Sequence, residues 1–276
     1  MSVDIKLPEG APEEVVTQAL VRQVDLSAFG AKGVLALITL DNSLDHNRPN
    51  TFGPQSLLAL DAAITAATAL NPAAIALTGK PFIFAAGADL SALSFITSRE
   101  QSLGIGKLGH DVFRRLGESK IPTFAFINGL ALGGGLEVGL HCHYRTLAST
   151  AFTALPEVFL GLVPGWGGAT ILPKLIGPER AVQVIMLNAL NNNTMMKANV
   201  GIFDSPKRRK TSWPNFPIPS DCSRLVINER ADKSAPAAKI NGLPVSAIAT
   251  GFSAVAAVIA ASNASSDCGP KVLGRL

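Results

Sequence analysis

The chain has 276 residues, 47% of them apolar and 16% charged, which is enough apolar material for a sizeable core and argues against a disordered chain. Its net charge of +4 is unevenly placed: residues 1–206 carry 14 basic and 16 acidic side chains, and residues 207–276 carry 10 and 4. The basic excess belongs to the last quarter, so a uniformly basic, nucleic-acid-binding face is not supported.

In chain order, residues 1–30 read as an irregular lead-in with a short helix around Glu13–Arg22. Gly33 to Leu40 (GVLALITL) is an apolar run of strand length. Asp41 to Thr51 is a polar loop, and Pro54 opens a helix, a position that suits proline. Leu57, Leu58, Leu60, Ile64 and Ala67 recur there at helical spacing until Asn71-Pro72 stops it. Ala73 to Thr78 is a buried strand. Pro81 to Leu93 (PFIFAAGADLSAL) is a small-residue loop running into a helix start. Ser102 to Glu118 is helical, and Thr123 to Ile127 (TFAFI) is a strand. Gly129 to Leu140 (GLALGGGLEVGL) is a glycine-rich turn entering a helix. Tyr144 to Ser149 is a strand, a pattern that Phe152 to Leu160 continues, and Pro178 to Leu190 is helical. Strands alternating with helices predict an α/β fold with a parallel sheet. Apolar runs without polar alternation predict strands covered on both faces.

The character changes near Asn191. A KRRK run at 207–210 and seven prolines between Pro206 and Pro270 follow, and only Ala247–Ala261 offers an apolar helical stretch. The expected division is a catalytic-type domain over 1–200 and a divergent tail over 201–276. Two readings of the tail stand: a shifted reading frame or misjoined gene, and a genuine extension. Cys142, Cys222 and Cys268 form no C-x-x-C pair, which fits a reducing compartment and no structural zinc. The N-terminus shows no secretory pattern, and no apolar run reaches the roughly 20 residues that cross a membrane. The expected location is cytoplasmic.

Three segments carry chemistry. Gly133–Gly135 at a strand-to-helix turn leaves backbone N–H groups bare at the positive end of a helix, where an anion or a polarised carbonyl oxygen is held. Ala86-Gly87-Ala88 offers bare N–H groups at a second turn. Glu137 in the first turn of the helix, and Glu157 after a strand and a proline, are paired carboxylates that can divide acid and base roles. Each has a plainer reading: a tight turn, close packing, or a helix-stabilising surface charge. His141-Cys142-His143 looks like a ligand cluster, but side chains at i and i+2 do not share a helix face, and it reads as structural.

The order and spacing of AAGAD (85–89), NGLALGGGLE (128–137), Pro156-Glu157 and GLVPGWGG (161–168) resemble the crotonase, or enoyl-CoA hydratase/isomerase, family. The resemblance runs from about Gly33 to about Ala189 and is similar to the hydratase portion of multifunctional fatty-acid oxidation proteins. It implies a crotonase (ClpP-like) spiral of repeated ββα units with an atypical C-terminal tail. It implies that the N–H groups of Ala88 and Gly134 form an oxyanion hole for a thioester carbonyl. By the same resemblance Glu137 activates a water, Glu157 protonates the substrate α-carbon, and Ala86, Asp89, Leu90 and Gly133 line the substrate site. The expected substrate is an acyl-CoA thioester, specifically a trans-2-enoyl-CoA. No cofactor is expected beyond the coenzyme A of the substrate, and no metal, nucleic acid or membrane insertion. A homotrimer or hexamer is expected if the C-terminus permits it. The alternatives are an isomerase or a hydrolase on the same scaffold, and a non-catalytic acyl-CoA-binding remnant.

Overall fold

The computed structural model describes residues 13–187, apart from 28–30, 46, 94 and 149–150, together with the backbone of Val200–Phe203. The expected tail beyond those strand residues, with its apolar stretch Ala247–Ala261, lies outside the described residues.

The lead-in is a strand, not a helix. β1 (Gln18–Asp25) runs antiparallel to β2 (Val34–Asp41), pairing Ala19 with Leu40 and Val21 with Ile38. Two features defeat the expected helix over Glu13–Arg22. The segment is rich in β-branched residues (Val15, Val16, Thr17, Val21), which favour the extended chain. Its polar side chains are also engaged elsewhere. The Glu14 carboxylate accepts from the N–H groups of Gln55 and Ser56, both at 2.9 Å, and so caps α1 (Pro54–Ala69). Thr17 donates its N–H to Ser56 Oγ and its hydroxyl to the Thr51 carbonyl. Capping from outside replaces the side-chain cap that Gly53, at the N-cap position, cannot supply.

The other strands of the main sheet are parallel: β3 (Ala74–Gly79), β5 (Thr123–Ile127), β7 (Tyr144–Ala148) and β9 (Val200–Phe203) give the order β1-β2-β3-β5-β7-β9. β9 carries this sheet past residue 200. A second, smaller parallel sheet consists of β4 (Ile83–Ala85), β6 (Leu130–Leu132) and β8 (Thr153–Ala154). Each long strand β3, β5 and β7 is thus followed by a short strand of the second sheet, and then by helix. The helices are α2 (Leu90–Leu93), α3 (Arg99–Gly117), α4 (Gly134–His141), α5 (Gly168–Ile176) and α6 (Pro178–Leu187). This is the repeated ββα arrangement expected of the fold. The sequence reading assigned β4 and β6 to loops, because three residues are too few for a periodic signal. It also extended strand pattern over Phe152–Leu160. There only Thr153–Ala154 pairs, and Pro156–Leu160 forms a 3-10 turn, since proline lacks the N–H that a ladder needs.

β2 shows why the apolar runs do not alternate with polar residues. Ala36, Ile38 and Leu40 face the main core shared with α1, α3 and α4. Leu35 and Leu37 face a second cluster with Leu26, Phe124 and Phe126 on the other side of the sheet. α3 opens on a full capping box: Ser98 Oγ accepts from Gln101 N–H, and the Gln101 side chain reaches back to the Ser98 N–H. That well-ended helix lays Gly109 and Phe113 against the indole of Trp166.

Candidate active site

Two turns meet at the N-terminus of α4. The first, residues 86–89, is stitched to the chain at 50–52: Ala86 N–H donates to the Asn50 carbonyl, Phe52 N–H to the Gly87 carbonyl, and Asp89 N–H to the Phe52 carbonyl. Asn50 is itself fully buried and fixed, its amide donating to the carbonyls of Leu40 and Phe84. The second turn is Gly133–Gly134, anchored where Gly133 N–H donates to the Ala154 carbonyl. The two approach so closely that a methyl on Gly87 would lie 2.8 Å from the Leu132 carbonyl oxygen and 3.0 Å from the Gly134 nitrogen. Gly87 also sits at φ +90°, so glycine is required there on both counts. Among the described residues, neither the Ala88 nor the Gly134 N–H meets an acceptor. Two amide donors from separate turns are therefore left side by side, the Gly134 amide at the positive end of α4.

Glu137 is buried, 2% exposed, against the surface reading that sequence alone left open. Its Oε1 accepts from Gly168 N–H at 2.8 Å. Burial pushes its pKa up to about 7. The Gly168 amide opposes that rise, the Glu157 charge adds to it, and the amides of Trp166 and Gly167 oppose it more weakly. Glu157, on the 3-10 turn, is also held above the usual carboxylate range by burial. Its Oε1 lies against Gly133, 2.5 Å from where a methyl there would sit. Its Oε2 is buried with no hydrogen-bond partner among the described residues. The two carboxylates are thus electrostatically coupled, both reluctant to ionise, and adjacent to the paired amides.

The remaining candidate residues separate into two groups. Ala86 and Gly133 belong to the two turns themselves. Asp89 spends its carboxylate on the N–H groups of Ser91 and Ala92 and the Ser91 hydroxyl, at the start of α2. Leu90 is more than half exposed beside it. Trp166 is the residue whose role sequence reasoning missed: its indole fills the space between Gly109 of α3 and Gly134 of α4, 2.4 and 2.5 Å from where methyls on them would sit. The quoted stretch GLVPGWGG held the signal, but not the direction in which the ring points. His141 and His143 face different partners, the Trp166 carbonyl and Thr123 respectively.

The enoyl-CoA hydratase/isomerase family profile matches residues 30–205. The chain belongs to that family. It is 40% identical over 137 residues to the fatty acid oxidation complex subunit alpha of Shewanella loihica, a match covering 49% of this chain and 19% of that one. It is 39% identical over 145 residues to the crotonyl-CoA hydratase of Syntrophomonas wolfei, covering 50% and 55%. The chain thus spans about a fifth of the first relative and about half of the second. The crystal structure of an enoyl-CoA hydratase from Thermoplasma volcanium superposes with a TM-score of 0.59 at 26% identity, covering 68% of this chain and 73% of that one. The mixed α/β architecture is therefore the crotonase fold. Among the described residues, no helix is long and apolar enough to cross a membrane.

Proposed function

We propose that this crotonase-family domain hydrates a trans-2-enoyl-CoA to a 3-hydroxyacyl-CoA. The observation that carries the reading is the pairing of buried Glu137 and half-buried Glu157, whose charge acts on Glu137, with the acceptor-free amides of Ala88 and Gly134. The thioester carbonyl oxygen accepts from both amides, which stabilise the enolate-like charge that develops as the β-carbon is attacked. Each such donor is worth about 3–4 kcal/mol of barrier. Ionised Glu137 takes a proton from water as the water oxygen bonds to Cβ. The protonated carboxyl of Glu157 delivers its proton to Cα. Solvent then carries the proton from Glu137 back to Glu157. The chemistry uses proton transfer and carbonyl polarisation, and the substrate brings its own coenzyme A.

Several observations support this reading over its rivals. Shifting a double bond moves one proton between two carbons, a task for one carboxylate, whereas hydration handles a water and a carbon at once. Burial holds both pKa values up, towards the range in which a carboxyl exchanges protons near neutral pH. The crotonyl-CoA hydratase of Syntrophomonas wolfei is among the relatives. The test is loss of crotonyl-CoA absorbance with the full chain. Turnover by the wild type, strongly reduced in Glu157→Gln, is expected. A folded protein that binds a CoA ester without turnover would replace the reading with the non-catalytic one.

A further inference from the structure

The turn that carries Glu137 is held from its other side by a residue four positions along the same helix. Glu137 and His141 are i and i+4 on α4 and project from one face. His141 is buried, and its Nε2 lies 2.7 Å from the Trp166 carbonyl oxygen. A carbonyl only accepts, so Nε2 carries the proton and donates. That carbonyl belongs to the same peptide unit as the Gly167 N–H, whose contact favours the Glu137 charge, and the next amide, Gly168 N–H, donates directly to Glu137 Oε1. In a trans peptide the carbonyl and the N–H point in opposite directions. The Trp166–Gly167 unit is thus gripped at its oxygen by His141, with its N–H on the side of Glu137. Donation to a peptide oxygen polarises the unit and strengthens the N–H at its far side.

The backbone conformation there is one that only glycine holds comfortably: Gly167 sits at φ +133°, with His141 Nε2 2.6 Å from where a methyl would be. The ring is wedged by Phe113 at 6.1 Å and His110 at 6.0 Å between centroids, both from α3. The charged and titratable groups around the pair are His110 and Glu118 near His141, and Glu157 near Glu137.

We propose that His141 is a positioning residue for Glu137: by donating to the Trp166 carbonyl it fixes the 166–168 turn whose amides hold the Glu137 carboxylate. It touches no reacting atom and acts only through that turn. Its role in catalysis rests on the hydratase reading above, but the hydrogen-bond geometry does not.

The test follows Glu137 directly and needs no turnover. The Glu137 carboxyl is titrated by isotope-edited infrared spectroscopy in the full chain, with Glu137→Gln identifying its band, in the wild type, His141→Leu and His141→Gln. Leucine removes the donor. Glutamine returns an amide N–H near the Nε2 position. The expected result is an upward shift of the Glu137 titration in His141→Leu, by roughly half a pH unit or more, the scale of one weakened hydrogen bond. His141→Gln returns it towards the wild-type value. Should the leucine variant fail to fold, His141→Asn, one methylene too short to reach, takes its place. Unchanged Glu137 titration in every folded variant, or equal shifts in the leucine and glutamine variants, overturns the proposal. A shifted titration in a protein that never hydrates crotonyl-CoA sustains the positioning role and removes only the hydratase reading.

Discussion

The carboxylate of Glu157 rests on the backbone of Gly133: a methyl built on that glycine would lie 2.5 Å from Glu157 Oε1. Gly133 also adopts φ +49°, ψ −126°, a conformation that side chains strongly resist. One residue thereby turns the chain from β6 into α4, presents the next amide, and leaves room for the second carboxylate. Gly133→Ala is expected to push Glu157 off its seat and strain the turn by about 1–3 kcal/mol. The kcat/KM for crotonyl-CoA falls by roughly 100-fold, the scale of a misplacement of about 1 Å, while the fold persists by circular dichroism. Near-wild-type turnover in Gly133→Ala would show that Glu157 has no fixed place in the reaction.

Glu137 links catalysis to stability. Its folded pKa of about 7 lies above the ordinary 4.5. A group raised in this way contributes its full stability in acid, below about pH 4.5, and loses it as pH rises through about 7. The size of that loss is roughly 3 kcal/mol. Glu137→Gln removes the ionisation while keeping an oxygen for the Gly168 amide. The Tm of the variant relative to wild type is therefore expected to climb between about pH 5 and about pH 8. A Tm difference independent of pH over that range would mean that Glu137 titrates normally.

The same coupling shapes the rate profile. Glu157 charge adds to the rise that burial gives the Glu137 pKa, so Glu157 ionises ahead of Glu137 and a window exists in which the two carboxyls hold one proton. The active form, Glu137 ionised and Glu157 protonated, is the opposite and less populated placing of that proton, so activity tracks the one-proton window without filling it. A bell is expected for kcat/KM: rising with pH as the pair loses its first proton, falling as it loses the second. Glu157→Gln removes the neighbouring charge, and Glu137 is then expected to titrate lower by infrared spectroscopy. No movement in that variant would place the two carboxylates too far apart to share a water.

Lys80 organises the approach to the 86–89 turn. Its buried ammonium donates to Asn42 Oδ1 and to the carbonyls of Leu44 (2.9 Å), Asp45 (3.0 Å) and Arg48 (2.7 Å). The loop it gathers leads into Asn50, whose carbonyl receives the Ala86 amide. Lys80→Met fills the same volume but leaves these oxygens without their donor. It is expected to cost about 3 kcal/mol of stability and to lower kcat through loosening of the 86–88 turn. Unaltered denaturant midpoint in the variant would contradict the cage's structural role.

What was legible in the sequence follows from the range of each interaction. The strands β2, β3, β5 and β7 and the helices α1 and α3 announce themselves through apolar runs, helical spacing and proline or glycine stops within each segment. β4 and β6 are too short to carry such a signal. The lead-in was misread because Glu14 and Thr17 serve α1 from about 40 residues away, a partnership no local pattern shows. At the site, the glycines and both glutamates stood out by motif and spacing. That Glu137 is buried, that Gly168 holds it and that Trp166 fills the space beside Gly134 all depend on α5 folding back onto α4, which spacing alone does not specify.

The most direct test of the central claim is to incubate the full chain with crotonyl-CoA in water enriched in oxygen-18 and to weigh the CoA products. The account predicts a CoA ester heavier by one labelled water, with the label on the β-carbon, and its loss in both Glu137→Gln and Glu157→Gln. A product of unchanged mass, or free coenzyme A with labelled crotonate, would contradict hydration and assign the paired carboxylates to a different reaction.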